Sequence, residues 1–242
     1  MARENEARRL RPASQTEGSR GRDDRITVYG DEYSYNNFRN ALAEEGSYYA
    51  ARNATIDTTV AYGVIAAYVT TTPAFLIANT APAGGRNIFL DFLKLRLTVA
   101  PASATNWKYV VEVDNSTRLS TAPTGGVSLS VVNTNPAVSN DFEGAVWGFS
   151  GGTVLTVVAG QATRIIAHGA IAQSIPLVLD EHVLQFGRED SAPSAATAVT
   201  KRVASAPPVC IPPGCSAAIH LYGLSNAITG MSAEYSLGLY QR

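Results

Sequence analysis

Charge is what this sequence has least of. Only 16% of its 242 residues are Asp, Glu, Lys or Arg, against about 25% in an average soluble domain. The formal net charge is -1, so the chain as a whole carries no electrostatic footprint for a specific nucleic acid or an acidic membrane. Cysteine is almost missing: Cys210 and Cys215 are all there is, too few for a disulfide framework. The three histidines, His168, His182 and His220, are far apart, and none has a second ligand at a metal-type spacing. Phosphate-cradling and dinucleotide-binding glycine motifs are missing as well. The stretch MARENEARRLRPASQTEGSRGRDD has no apolar run of the signal-peptide kind, so export by the usual route is not expected and the mature chain is expected to start here. One uncharged stretch, between Asp57 and Arg86, is long enough to raise a membrane span, but threonines, Pro73, Asn79 and Pro82 interrupt it. Strands are the better reading there, with no membrane partner.

What the chain does have is Thr, Ser, Ala, Val, Gly and Tyr, within a 45% hydrophobic total. Its organisation reads as three zones. Residues 1–25 hold seven arginines and five acids with few large apolar side chains, which cannot offset the entropy of ordering, so a flexible charged arm is expected. Its net charge of +2 is small for counterion-driven binding of nucleic acid and suits protein docking better, with Arg3, Arg8, Arg9 and Arg11 able to fork onto carboxylates of a partner. Residues 26–55 form a Tyr-rich docking segment in which Tyr29, Tyr33, Tyr35, Tyr48 and Tyr49 are candidate anchors. Within it NNFRNALAEEG predicts one short helix, with Phe38 and Leu42 on a shared face and Gly46 as cap.

Residues 56–242 read as a β domain. In FLKLRLTV, Leu93, Leu95, Leu97 and Val99 alternate with Lys94, Arg96 and Thr98, and Trp107, Tyr109, Val111 and Val113 alternate with Lys108, Val110, Glu112 and Asp114. The short linker APASAT between them predicts an antiparallel hairpin. Further strands are expected at VSLSVV, TVLTVV, ATRIIAHGAIA, HVLQFG, ATAVTKRV, AAIHLYG and MSAEYSLGLY. With no long helix among them, the expected fold is all-β, an antiparallel sandwich of the jelly-roll kind with an N-terminal arm and one short helix.

Motifs that could carry chemistry have blander readings. Gly148, Ser150 and Gly152 fit a nucleophile elbow, but that elbow needs a following helix and TVLTVV follows here, so a glycine-rich loop is expected. Asp180, Glu181 and His182 read as a polar turn, and the Asn53 and Asn115 sequons as chance. His220 is expected on the sheet face opposite Ile219 and Leu221, with Tyr222. No catalytic, cofactor or metal residue is assigned. In CIPPGC, Cys210 and Cys215 could close a small disulfide loop, but Pro212, Pro213 and Gly214 argue for a rigid turn.

GRNIFLDFLKLRLTV, HVLQFG, the P-P-G-x-S turn before AAIHLYG and the aromatic-Arg close together resemble a group of tailed-bacteriophage virion proteins. The resemblance covers roughly residues 85–242 in pieces and does not reach the arm. It implies a non-enzymatic structural protein of the particle, a capsid decoration or cement protein. Such a protein is a β-sandwich, often a homotrimer or other homo-oligomer, seated on the major capsid protein or other virion proteins. Localisation would be the virion, assembled in the host bacterial cytoplasm. A tail or neck adaptor or fibre-base protein, and a carbohydrate-binding β-sandwich using exposed Tyr, stand as alternatives.

Overall fold

A computed structural model of the chain describes residues 24–26, 32–34, 38–53, 60–61, 66–101, 105–119, 126–150, 152–158, 163–174, 177–187, 203–223 and 231–242. In chain order the elements are β1 (Asp24–Ile26), β2 (Glu32–Ser34), α1 (Phe38–Glu44), β3 (Tyr48–Arg52), β4 (Val60–Ala61), β5 (Phe75–Asn79), β6 (Ile88–Val99), β7 (Thr105–Asp114) and β8 (Gly126–Ser128). There follow β9 (Ser130–Asn133), β10 (Gly144–Phe149), β11 (Thr163–Ser174), β12 (Glu181–Phe186), β13 (Val203–Ala206), β14 (Val209–Ile211), β15 (Ser216–Gly223) and β16 (Ser232–Gln241). One sheet runs β11-β7-β15-β5-β10-β8; the other runs β13-β12-β6-β16-β3-β9, with β14 also on β6 and β4 on β16. Every ladder between these strands is antiparallel except β12 with β13. Separately, β1 and β2 pair with each other.

The two sheets close on one core, an all-β sandwich. Leu93, Leu95 and Leu97 of β6 and Ala233, Tyr235, Leu237 and Leu239 of β16 point in from one side. Trp107, Tyr109 and Val111 of β7, Phe75 and Ile77 of β5 and Ile219 of β15 meet them from the other. The contact is direct: the Phe75 and Tyr235 rings meet edge to face at 4.9 Å, and the Tyr109 hydroxyl donates to Ser205 O at 2.9 Å. Period-two alternation predicted the inward faces of β6, β7 and β16; β5 is buried along its whole length and has no alternation to read.

Three expectations need correction. The β6–β7 hairpin does not exist: β6 pairs with β12, β16 and β14, and β7 pairs with β11 and β15. Both strands have apolar faces that must reach the same core, and crossing from one sheet to the other buries both. TVLTVV forms no sheet strand; apart from a single bridge between Leu119 and Val157, residues 152–158 lie as coil over the outer face of the six-stranded sheet, where Leu155 is buried with Leu76, Leu119 and Phe149. The sandwich also begins before residue 56, because β3 runs beside β16 in register from Tyr48↔Tyr240 to Arg52↔Ser236.

The short helix forms where expected. It ends in a Schellman motif, with Ser47 N donating to Leu42 O at 2.8 Å and Gly46 N to Ala43 O at 3.1 Å. Gly46 sits at φ +73, a conformation that crowds any Cβ.

Candidate docking surface

Of the anchors proposed from sequence, Arg3, Arg8, Arg9, Arg11, Tyr29 and Tyr35 lie outside the described residues. Tyr33 falls in β2, opposite Arg25. Tyr48 and Tyr49 are corrected: both are buried in the chain's own fold. The Tyr49 ring packs on Phe142 at 5.2 Å, and its hydroxyl donates to Asp141 Oδ1 at 2.7 Å, a carboxylate that also holds Arg86 at 3.1 Å. The Tyr49 hydrogen bond is the main influence holding the Asp141 carboxyl below its ordinary value.

Tyr48 leads instead to a surface the sequence did not reveal. Between Gly238↔Phe92 and Leu239↔Leu90 the β6–β16 register shifts, leaving Asp91 as the extra residue of a bulge. Bulges re-aim side chains, and here Asp91 receives the Tyr48 hydroxyl at 2.6 Å and the Arg39 guanidinium as a fork, Nη2 at 2.7 Å and Nε at 2.5 Å. A Cβ at Gly238 would collide with both Phe92 and the Tyr48 hydroxyl, so the glycine is what lets those rings cross the strand. Around this knot Phe89 stacks on Tyr240 at 4.9 Å and Phe38 meets Tyr240 edge-on at 5.6 Å. Arg39 lies over Phe92 at 5.9 Å and Arg242 over Phe38 at 5.3 Å.

The result is a half-exposed patch of aromatic faces and guanidinium groups on the outer face of the eight-stranded sheet, beside helix α1. Both guanidinium groups are paired within the chain, Arg39 with Asp91 and Arg242 with Glu45 at 3.3 Å, so what this surface offers a protein partner is chiefly aromatic area. Asp91→Ala is expected to cost about 2 kcal/mol in a urea titration, since two hydrogen-bonded partners of a charged group lose it together. An unchanged midpoint would show that helix α1 docks without the knot.

A second polar assembly lies on the outer face of the six-stranded sheet, and it is buried. Arg118 Nη2 is 2.7 Å from Glu112 Oε2, its Nε is 3.0 Å from Asp114 Oδ1, and its Nη1 donates to Thr70 O at 3.3 Å. His220 Nε2 is 3.1 Å from Glu112 Oε2, and the Tyr68 ring covers His220 edge-on at 5.2 Å. His220 does share its face with Tyr222, as the alternation predicted; residues 66–73 lie over that face, and His220 is buried beneath Tyr68. Arg118 thereby fastens the strap to the sheet. The same residue accepts from Val158 N at 2.6 Å through its carbonyl, anchoring the second covering segment.

The remaining motifs are architectural. Strand β10 precedes Ser150, and a turn closed by Thr153 N to Ser150 O at 3.2 Å follows, with no helix. Gly148 leaves room for Tyr235, whose hydroxyl would stand 2.6 Å from a Cβ there. His182 is no turn residue: it is the first inward side chain of β12, wholly buried and edge-on to Trp107 at 5.2 Å. Asn53 is buried and accepts from Tyr235 N at 3.1 Å. Cys210 and Cys215 are free thiols, the first exposed and the second packed toward the core, and burial pushes both upward in pKa. The turn between them has Cys215 N on Pro212 O at 3.0 Å and Gly214 at φ +77, the geometry Pro-Pro-Gly favours. Buried Asn79 hooks it to β5: its Nδ2 donates to Ile211 O at 2.8 Å and its carbonyl accepts Gly214 N at 2.9 Å.

Comparison with known proteins finds no match of this chain to a family model, a curated protein or a solved structure.

Proposed function

We propose that this chain is a non-enzymatic structural protein of a tailed-bacteriophage particle, a decoration or cement protein that sits on the major capsid lattice as a homotrimer or other homo-oligomer, and that its sandwich is a jelly roll. Strand order supports the jelly roll. Counting β3, β5, β6, β7, β11, β12, β15 and β16 as first to eighth, one sheet holds first, eighth, third and sixth side by side, and the other holds second, seventh, fourth and fifth. That order arises when an antiparallel ribbon winds around a barrel, as in viral capsid domains. Fold alone never assigns function, and the observation that carries the virion reading is where the shared motifs fall. The Ile88–Leu95 run is β6, the L-x-F-G end closes β12, the P-P-G-x-S turn leads into β15, and the aromatic-Arg close ends β16. They mark the frame of one sandwich.

The attachment mechanism is burial with avidity. The aromatic and guanidinium patch around α1 docks, and the arm extends each copy's reach, so several weak contacts act together. Deleting residues 1–25 is expected to leave the circular dichroism of the β domain unchanged and to weaken attachment to empty capsids. Undiminished attachment of the truncated chain would overturn the arm's role. Imaging of particles separates the positions: a regular surface lattice supports the cement reading, and an isolated ring a neck or tail adaptor.

A further inference from the structure

The turn that follows β7 carries an exposed asparagine beside a small residue. Asp114 is the last residue of β7 paired on either side, with Thr163 of β11 and Ser216 of β15, so Asn115 and Ser116 leave the sheet outside both ladders. Asn115 is exposed. Neither its side chain nor Ser116 N has a hydrogen-bond partner among the described residues, although Ser116 O accepts from Ser216 Oγ at 3.3 Å. Other asparagines are fixed. Asn79 Nδ2 donates to Ile211 O at 2.8 Å, Asn133 Nδ2 to Gly46 O at 2.8 Å and Asn140 Nδ2 to Val131 O at 2.8 Å. Asn135 is followed by Pro136, which has no backbone N–H. Asn115 is also the one asparagine of the chain followed by serine, and none is followed by glycine.

A carboxamide in that setting can react with its own backbone. The Ser116 backbone nitrogen, on losing its proton, attacks Asn115 Cγ; the new N–C bond closes a succinimide ring, the Cγ–Nδ2 bond breaks and ammonia leaves. Water then opens the ring at either carbonyl, giving aspartate or isoaspartate at position 115, with nothing oxidised or reduced. A small side chain after the asparagine leaves room for ring closure, and a nitrogen outside a ladder has no hydrogen bond to give up. The product falls at a sensitive place. Asp114 is buried with Arg118 Nε at 3.0 Å, and the same guanidinium holds Glu112 and the Thr70 carbonyl. A carboxylate at position 115 adds a like charge one residue from Asp114. Isoaspartate also lengthens the main chain by a methylene carbon between Asp114 and Arg118.

We infer that Asn115 is a site of spontaneous deamidation, and that its conversion loosens Arg118 and the covering segment 66–73 that Arg118 fastens. The inference goes beyond the virion reading and does not depend on it, because it concerns the purified chain alone. The full chain is aged in mildly alkaline buffer, native and in urea, and conversion at each asparagine is followed by peptide mass spectrometry with separation of the isoaspartyl peptides. Urea frees every asparagine, so the ratio of native to unfolded rates removes the effect of neighbouring sequence. Folding is expected to slow Asn115 by less than about tenfold, and Asn133 and Asn140 by more than about tenfold, the effect of a hydrogen bond that must open first. An Asn115 slowed by more than that overturns the site, and so does equal slowing of all three. Hydrogen exchange of the aged chain tests the consequence. The amides of residues 66–73 are expected to exchange more than about tenfold faster once Asn115 has converted, the loss of about one hydrogen bond to a charged group. The variant N115Q, whose longer side chain closes the ring far more slowly, should keep its protection when aged alongside. Unchanged exchange over 66–73 in the converted chain overturns the coupling to Arg118.

Discussion

Arg118→Leu is expected to lose about 3–5 kcal/mol of stability, the range for removing one partner of a buried ion pair. Glu112 and Asp114 are both buried, and the guanidinium is the cation that faces both. Without it two carboxylates remain buried with His220 beside one of them, and the Thr70 carbonyl loses its donor. Because a domain of this kind has about 5–15 kcal/mol in total, the variant should unfold at a much lower urea concentration. It should also expose the amides of residues 66–73 to hydrogen exchange before the rest of the sandwich. Replacing Glu112, Asp114 and Arg118 together by apolar residues should recover much of the loss, because the desolvation cost then disappears along with the attraction. A loss under about 1 kcal/mol for the single variant, the level of an exposed pair, would mean that water reaches the cluster.

The second large effect is alkaline. Burial pushes the Tyr235 phenol up to about 12; burial and then the hydrogen bond to Asp141 push Tyr49 up to about 12. Tyr48 is raised further in the same way, by burial first and Asp91 second, and burial also raises Tyr240. Below about pH 10 these phenols are protonated in both the folded and the unfolded chain, and the stability they support is complete. Above about pH 10 the unfolded chain ionises while the folded one does not, so stability falls as pH rises towards the folded values. At about 1.4 kcal/mol per phenol per pH unit, Tyr48, Tyr49 and Tyr235 together remove about 4 kcal/mol by pH 11. Urea midpoints should therefore collapse between about pH 10 and 12, and tyrosinate absorbance should rise cooperatively with loss of near-ultraviolet dichroism. Ionisation of all the phenols near pH 10 with the dichroism intact would sink this.

The aromatic patch and the buried quartet were hidden in the sequence for one shared reason. Glu112 and Asp114 occupy positions that alternation assigns to the outward face, and they are on that face; alternation carries no information about whether another segment lies on top. Tyr68 and Arg118 belong to irregular stretches, whose paths are set by the side chains they cover. Asp91 breaks the alternation of β6, and a bulge reads in sequence as one misplaced polar residue. His182 misled in the opposite sense, because a histidine after two acids suggests a turn, while its edge contact with Trp107 depends on a strand in the other sheet.

By itself the sequence determined what depends on a few consecutive residues. The inward faces of β6, β7 and β16, the helix with Gly46 at its end and the Pro212–Cys215 turn each follow from period, cap or φ preference within about ten residues of chain. Only the tertiary structure decided which strands are neighbours, that β6 and β7 lie in different sheets, that Tyr49 turns into the core while Tyr48 is buried in the Asp91 knot on the opposite face, and that the outer face bearing Glu112 is covered. Those outcomes are set by apolar area far apart in the chain finding a common core. Burial is proportional to area and indifferent to sequence order, so no local pattern records which partner a face will meet.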